Sequence, residues 1–168
     1  MSKVHIVKSI LSDSLIDEIE GSIDPYSHTS NLTSWPNSVV GSSGAILVFG
    51  VNDEFKDRLC EEITKKTNVD IDRERANFAI HFGSFLSFIP VHDDHIYELA
   101  MTIYINREWK TDWGGAFLYE DGEEGMRAIF PEYNKCVFFE PPLVHCTTMP
   151  TINAPLRKSI QIFTGKTG

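Results

Sequence analysis

The sequence predicts an α+β chain, mainly β, in which helices from the N-terminal part pack on a double-stranded β-helix, or jelly roll. Three observations carry this. Apolar residues recur at helical spacing only in the first part of the chain, within about residues 12–66. From residue 76 onward, short runs rich in β-branched and aromatic residues follow one another between Gly, Pro, Asn and Asp. A chain of 168 residues, 42% hydrophobic and 11% aromatic, is long and apolar enough for one domain with its own core. A single domain over residues 1–168 is therefore expected, with helices over about 12–66 and the jelly-roll core over about 76–164.

Taken in order, the first residues, Met1-Ser2-Lys3-Val4-His5-Ile6-Val7, lack the apolar run and cleavage site of a signal peptide, and no stretch approaches a membrane span. A cytoplasmic protein with no membrane partner is expected. Residues 12–20 predict a short helix: Ser12 or Ser14 can cap it, Leu15, Ile16 and Ile19 form an apolar stripe, and Gly21 suits its end. Residues 24–43 contain Pro25, Tyr26, His28, Trp35, Pro36 and Gly41 among many Ser, Thr and Asn, with no apolar period. They predict a long loop, either a connection or a lid over a site, and together with 119–128 they are expected to line the entrance to that site.

A second helix is predicted from about Asp53 to Lys66 after an Asn52 cap. Phe55, Leu59 and Ile63 share one face, acidic residues occupy the first turn, and Lys65 and Lys66 complement the dipole in the last. Strands are predicted at 76–82, 84–90, 97–105, 115–120, 126–130, 135–140, 143–148 and 156–164.

Charge and thiols exclude some functions. With 15 basic against 24 acidic residues the net charge is −9, which disfavours nucleic acid and anionic membranes as partners. The odd set Cys60, Cys136 and Cys146 lacks zinc-knuckle spacing and reads as reduced thiols.

The chemistry gathers at Pro90-Val91-His92-Asp93-Asp94-His95. If Val91 to His95 are extended, His92 and Asp94 project from one face while Asp93 and His95 point away. One distant imidazole would complete two His and one carboxylate, a facial triad that leaves half of an iron's coordination sphere open. His145, the only later histidine, can supply it if its strand folds back beside the first, as jelly-roll strands do. Downstream, Arg157 and Ser159 would share a strand face, and an arginine fork with a hydroxyl suits a carboxylate. On the tripeptide alone, a solvated surface arginine is the plainer reading.

Several runs then follow in order: Thr102-Ile103-Tyr104-Ile105-Asn106-Arg107-Glu108-Trp109, Asp112-Trp113-Gly114-Gly115-Ala116-Phe117-Leu118-Tyr119 and Pro131-Glu132-Tyr133-Asn134-Lys135-Cys136-Val137-Phe138-Phe139, ahead of His145 and Arg157-x-Ser159. With His92-x-Asp94 this set resembles the iron(II)- and 2-oxoglutarate-dependent oxygenases, nearest the prolyl 4-hydroxylase branch, over roughly residues 85–164. The resemblance implies that His92, Asp94 and His145 hold Fe(II), and that Arg157 pairs with the far carboxylate of 2-oxoglutarate. It also implies that Tyr104 hydrogen-bonds that carboxylate with Ser159 assisting, that O2 is the second cosubstrate, and that ascorbate is a candidate reductant. Halogenating relatives lack the carboxylate that Asp94 keeps, so hydroxylation of an unactivated C–H bond is implied. The branch favours a prolyl residue in a peptide or protein, with a free amino acid or other small molecule as the alternative. Trp109, Trp113, Phe138 and Phe139 are expected in the core, and Gly114-Gly115 at a turn or bulge. A metal-binding or sensor protein without turnover on the same scaffold is the competing class; it would not require Tyr104, Arg157 and Ser159 at these positions. Oligomeric state is not legible in the sequence.

Overall fold

A computed structural model describes residues 3–35 and 43–165. Eleven strands form two antiparallel sheets in the described residues. The larger has the order β1 (His5–Lys8), β9 (Lys135–Phe139), β6 (Leu99–Tyr104), β11 (Arg157–Thr164), β4 (Asn77–Gly83), β3 (Ile46–Gly50), β2 (His28–Ser30). The smaller has the order β5 (Ile89–His92), β10 (His145–Thr147), β7 (Phe117–Glu120), β8 (Met126–Ile129). This is the mainly β jelly roll expected.

Alternation along the central strands divides the seven-stranded sheet into two unlike faces. Phe78, Ile80, Met101, Ile103, Ile160 and Ile162 point to one side, where they pack with Leu15, Ile16 and Ile19 of helix α1 (Asp13–Ser22) and with Phe55, Leu59 and Ile63 of helix α3 (Asp53–Thr67). The other side faces the smaller sheet across a second cluster that includes Ala100, Tyr104, Phe117, Val137, Phe139 and Leu143. Ser12 caps α1 by accepting from Leu15 N at 3.4 Å, and its hydroxyl donates to Glu62 of α3 at 2.8 Å. Asn52 stands at the start of α3 in extended geometry, but its side chain makes no capping bond. Asn68 ends α3 at φ 59°, the left-handed turn that asparagine tolerates. No helix among the described residues is long and apolar enough to cross a membrane. All three cysteines are free.

Four expectations need correction. Strands β1 and β3 precede the predicted β region: His5-Ile6-Val7-Lys8 and Ile46-Leu47-Val48-Phe49 are too short to carry a clear period of their own, and each is held by pairing with a longer neighbour, β9 and β4. Residues 24–43 are not one structureless loop, because His28–Ser30 pairs with β3. A single helical turn, α2 (Asn31–Ser34), then follows, capped by Ser30 Oγ, which accepts from Leu32 N. Buried Asn31 ties this segment down, donating to Gly44 O at 2.9 Å and accepting from Ile46 N at 3.0 Å. Residues 36–42 of that stretch lie outside the described residues. The third correction concerns 84–90, where a turn closed by Ser87 N donating to Ser84 O delays the strand until Ile89. Finally, Trp109 and Trp113 are only half-buried, stacked edge to face at 5.7 Å, with Trp109 Nε1 donating to Gly114 O. Phe138 and Phe139 are buried as expected, on opposite faces of the sheet.

Candidate active site

His92 ends β5 and His145 begins β10, and the two are direct cross-strand partners, which brings their rings to 4.1 Å between centroids. Asp94 reaches the same point by a different route from the one alternation predicts. The strand stops at His92, and Asp94 turns at φ 55°, a conformation open to aspartate, with its carbonyl accepting from Tyr97 N. The turn, not an extended strand, swings the carboxylate back. Asp94 Oδ1 lies 3.5 Å from His92 Nε2 and Oδ2 lies 3.5 Å from His145 Nε2, and one ligand atom from each residue lies within 4.8 Å of the others.

Hydrogen bonds fix the imidazoles. His92 Nδ1 is 2.7 Å from Pro90 O and His145 Nδ1 is 2.7 Å from Leu143 O. A carbonyl only accepts, so each Nδ1 carries a proton, which leaves Nε2 as the ring nitrogen that faces Asp94. Burial, with His92 beside it, brings His145 down to about 4, so it stays neutral at pH 7. Burial pushes the Asp94 carboxyl up from its ordinary value, against the opposing pull of His92. A buried carboxylate faced by the Nε2 atoms of two imidazoles is an arrangement that a divalent cation would stabilise.

These residues open on a cavity of about 730 Å³ between the sheets. Arg157 and Tyr104 line it from the seven-stranded sheet. Both are buried, and Arg157 Nε and Tyr104 Oη have no hydrogen-bond partner among the described residues. Burial lowers the Arg157 guanidinium from its ordinary value and raises Tyr104 to about 12. Uncompensated burial of this kind is costly, and an anion between the two groups would relieve it. Ser159 shares their face, opposite Tyr104, but it is fully buried, does not line the cavity, and accepts from Gln161 Nε2 at 2.9 Å.

Arg157 is held from two directions. Asn106 Nδ2 donates to Leu156 O at 2.8 Å and its Oδ1 accepts from Lys158 N at 2.7 Å, so one side chain brackets the arginine's backbone. Gly114 and Gly115 follow with φ of 70° and 67°, as expected of a turn. A Cβ on Gly115 would stand 3.2 Å from Arg157 Cδ, so this glycine also leaves the arginine its room.

Sequence reasoning missed Asn106, Gln161, Thr102 and His81, of which the last three line the cavity. Thr102 Oγ1 donates to Gln161 Oε1 at 2.7 Å, forming a polar floor. The signal was present as polar residues recurring on one alternate face of these strands: Asn77 and His81, Thr102 and Tyr104, and Arg157, Ser159 and Gln161. Of the expected entrance, Ser27, Thr29 and Trp35 do line the cavity, while no described side chain of 119–128 does; that segment forms the hairpin β7–β8, with Tyr119 turned into the inter-sheet core. His95 is exposed and pairs with Asp93 at 2.6 Å, off the ligand cluster.

Residues 81–161 match the family model of the 2OG-Fe(II) oxygenase superfamily. No curated protein matches the chain. Among solved structures, it is similar to a Pseudomonas putida prolyl-4-hydroxylase, with TM-score 0.62 and 14% identity over 98% of this chain and 93% of that one. It is similar to a Trichoplax adhaerens prolyl hydroxylase in complex with a hypoxia inducible factor oxygen degradation domain peptide, with TM-score 0.73 and 14% identity over 97% and 83%. A third is HygX from Streptomyces hygroscopicus with nickel and 2-oxoglutarate bound, with TM-score 0.69 and 8% identity over 98% and 83%. At these identities the structures establish the fold, and the family match covers the segment that carries His92, Asp94, Tyr104, His145 and Arg157.

Proposed function

From a chain whose residues 81–161 carry the pattern of the 2OG-Fe(II) oxygenase superfamily, we propose an Fe(II)- and 2-oxoglutarate-dependent dioxygenase that hydroxylates a prolyl residue in a peptide or protein. The observation that carries the proposal is one cavity holding His92, Asp94 and His145 on one side and, on the other, buried Arg157 and Tyr104, whose Nε and Oη have no hydrogen-bond partner among the described residues. The residues fit both groups: three neutral or anionic donors for a divalent cation, and a buried cation with a phenol for a carboxylate.

When bound, Fe(II), O2 and 2-oxoglutarate supply an oxidative decarboxylation that places one oxygen atom on the substrate and one in succinate. The chain's own part is positional. His92 and His145 offer Nε2 because their Nδ1 protons are committed to Pro90 and Leu143. Asp94 supplies the anionic donor. Arg157 and Tyr104 orient the far carboxylate of the cosubstrate, and buried Phe117 and Phe139 exclude water from the cavity wall. Likeness to a prolyl hydroxylase with a peptide supports a peptide substrate. Cytoplasmic residence and ascorbate as reductant belong to the same proposal, the former supported by three unpaired thiols.

Anaerobic titration of the Fe(II) protein with 2-oxoglutarate, followed by the visible charge-transfer band, tests the site. A band is expected, and its absence from iron-loaded protein would return the chain to the metal-binding class. Prolyl peptides and free proline, assayed in parallel by mass spectrometry, then separate the two substrate classes.

A further inference from the structure

Three of the buried side-chain atoms without a partner among the described residues belong to residues that line the cavity: Tyr104 Oη, Arg157 Nε and His81 Nδ1. The first two are accounted for by the proposed carboxylate. His81 has no role in that account, yet its placement is as specific. On β4 it pairs with Ser159 of β11, which on its other side pairs with Tyr104 of β6. Directly opposed residues share a face, so His81, Ser159 and Tyr104 form a row across the sheet. Arg157 stands on the same face of β11, two residues before Ser159. Tyr104 and His81 therefore flank the arginine from the neighbouring strands. The imidazole is 5% exposed and packs on Trp35 at 5.4 Å between ring centroids.

Burial first, and the Arg157 charge second, bring His81 down to about 3, so the ring is neutral. A neutral imidazole carries one proton, and either nitrogen can hold it. Beside a buried guanidinium, the ligand that satisfies an orphaned Nδ1 is an anion, which only accepts, so Nδ1 would be the protonated nitrogen. We propose that His81 is a third binding residue for the far carboxylate of the 2-oxo acid, donating from Nδ1 beside Arg157 and Tyr104, and that it sharpens the choice of dicarboxylic over monocarboxylic 2-oxo acids. The proposal rests on the cosubstrate reading above.

The test compares 2-oxoglutarate with pyruvate, which keeps the chelating end and lacks the far carboxylate. Both are titrated anaerobically into Fe(II)-loaded wild type, His81→Phe, His81→Asn and Arg157→Ala, following the charge-transfer band. Loss of one hydrogen bond to a charged group predicts that His81→Phe weakens 2-oxoglutarate by about tenfold and moves pyruvate by less than about twofold. His81→Asn, whose amide can place a donor near Nδ1, should recover most of the loss. In turnover, KM for 2-oxoglutarate should rise with kcat little changed. Unaltered 2-oxoglutarate affinity in His81→Phe, alongside weakening in Arg157→Ala, would overturn the role of His81 and leave the cosubstrate reading standing. Equal weakening of both acids would also overturn it, since the ring would then act through the architecture. No band in wild type would instead remove the cosubstrate reading itself. Independently of any variant's folding, ¹⁵N-histidine spectra of the Zn(II)-loaded wild type should show the His81 Nδ1 resonance move with 2-oxoglutarate and stay with pyruvate; a resonance unmoved by both overturns the proposal.

Discussion

The two faces of the seven-stranded sheet are built from the same strands and differ in almost every other respect. On one, Phe78, Ile80, Met101, Ile103, Ile160 and Ile162 are packed against α1 and α3. On the other, Ala79, His81, Thr102, Tyr104, Arg157 and Gln161 border a cavity, and three of them hold buried polar atoms with no partner among the described residues. A step of one residue along β11 passes from Arg157, aimed at the cavity, to Lys158, whose ammonium meets Glu20 of α1 at 2.8 Å. The helix-backed face supplies the stability that lets the cavity face keep unsatisfied groups in place. Substitutions should accordingly sort by face.

The largest effect is expected where the proposed metal ligands are removed. Asp94→Ala and His145→Ala should each lower turnover by far more than the roughly 10–100-fold typical of changes behind metal ligands, with melting temperatures close to wild type. Succinate release and thermal melts check both, and wild-type rates in either variant would break the site. Arg157→Ala comes next: truncating one partner of a buried charge pair costs about 2–5 kcal/mol, or about thirtyfold and upward in 2-oxoglutarate affinity. An unchanged affinity would detach the cavity face from the cosubstrate.

On the opposite face, Ile160→Ala should cost about 2–5 kcal/mol in chemical denaturation, because it empties a fully buried position, while kcat per folded molecule holds. A kcat loss matching that of the cavity variants would erase the distinction between faces.

Acid should act through the cavity face. His81 and His145 are lowered to about 3 and about 4 from their ordinary value, so the folded state binds fewer protons than the unfolded chain. Their contribution is full above about 6.5 and lost as pH falls toward those values. Asp94, raised by burial, works in the opposite sense just above its ordinary range. The metal-free protein should melt lower at pH 5.0 than at pH 7.5, with two histidines outweighing one carboxyl. Equal melting points would mean that these imidazoles are not buried neutral. The smallest effect is expected at Ser12→Ala, about 1 kcal/mol for a lost helix cap, with no change in cosubstrate binding.

The two faces were also unequally legible. The helix-backed face announced itself through apolar period in α1, α3 and the long central strands. The short strands β1, β2 and β3 did not, because three to five residues beside polar segments carry too little pattern and are held by pairing with neighbouring strands. At the cavity, His92, Asp94, His145, Tyr104 and Arg157 were readable from residue chemistry and resemblance. The strand geometry invoked for Asp94 was not what brings it in; a left-handed turn after His92 does that, and nothing in a His-x-Asp tripeptide distinguishes the two. His81 escaped because a lone histidine in an apolar run gains meaning only when Ser159 and Tyr104 are lined up beside it.

The hydrogen bonds of His92 and His145 carry a last consequence. In each case the acceptor is the carbonyl two residues earlier, in Pro90-Val91-His92 and in Leu143-Val144-His145. Each imidazole thus takes its tautomer from its own tripeptide, while the long stretch between them brings the two strands together and supplies Asp94, Tyr104 and the cavity wall. Within that stretch, the exposed turn between β7 and β8 can change its surface without rewriting which nitrogen either ring presents. Ring orientation is, in that sense, a portable property of two short words in the chain.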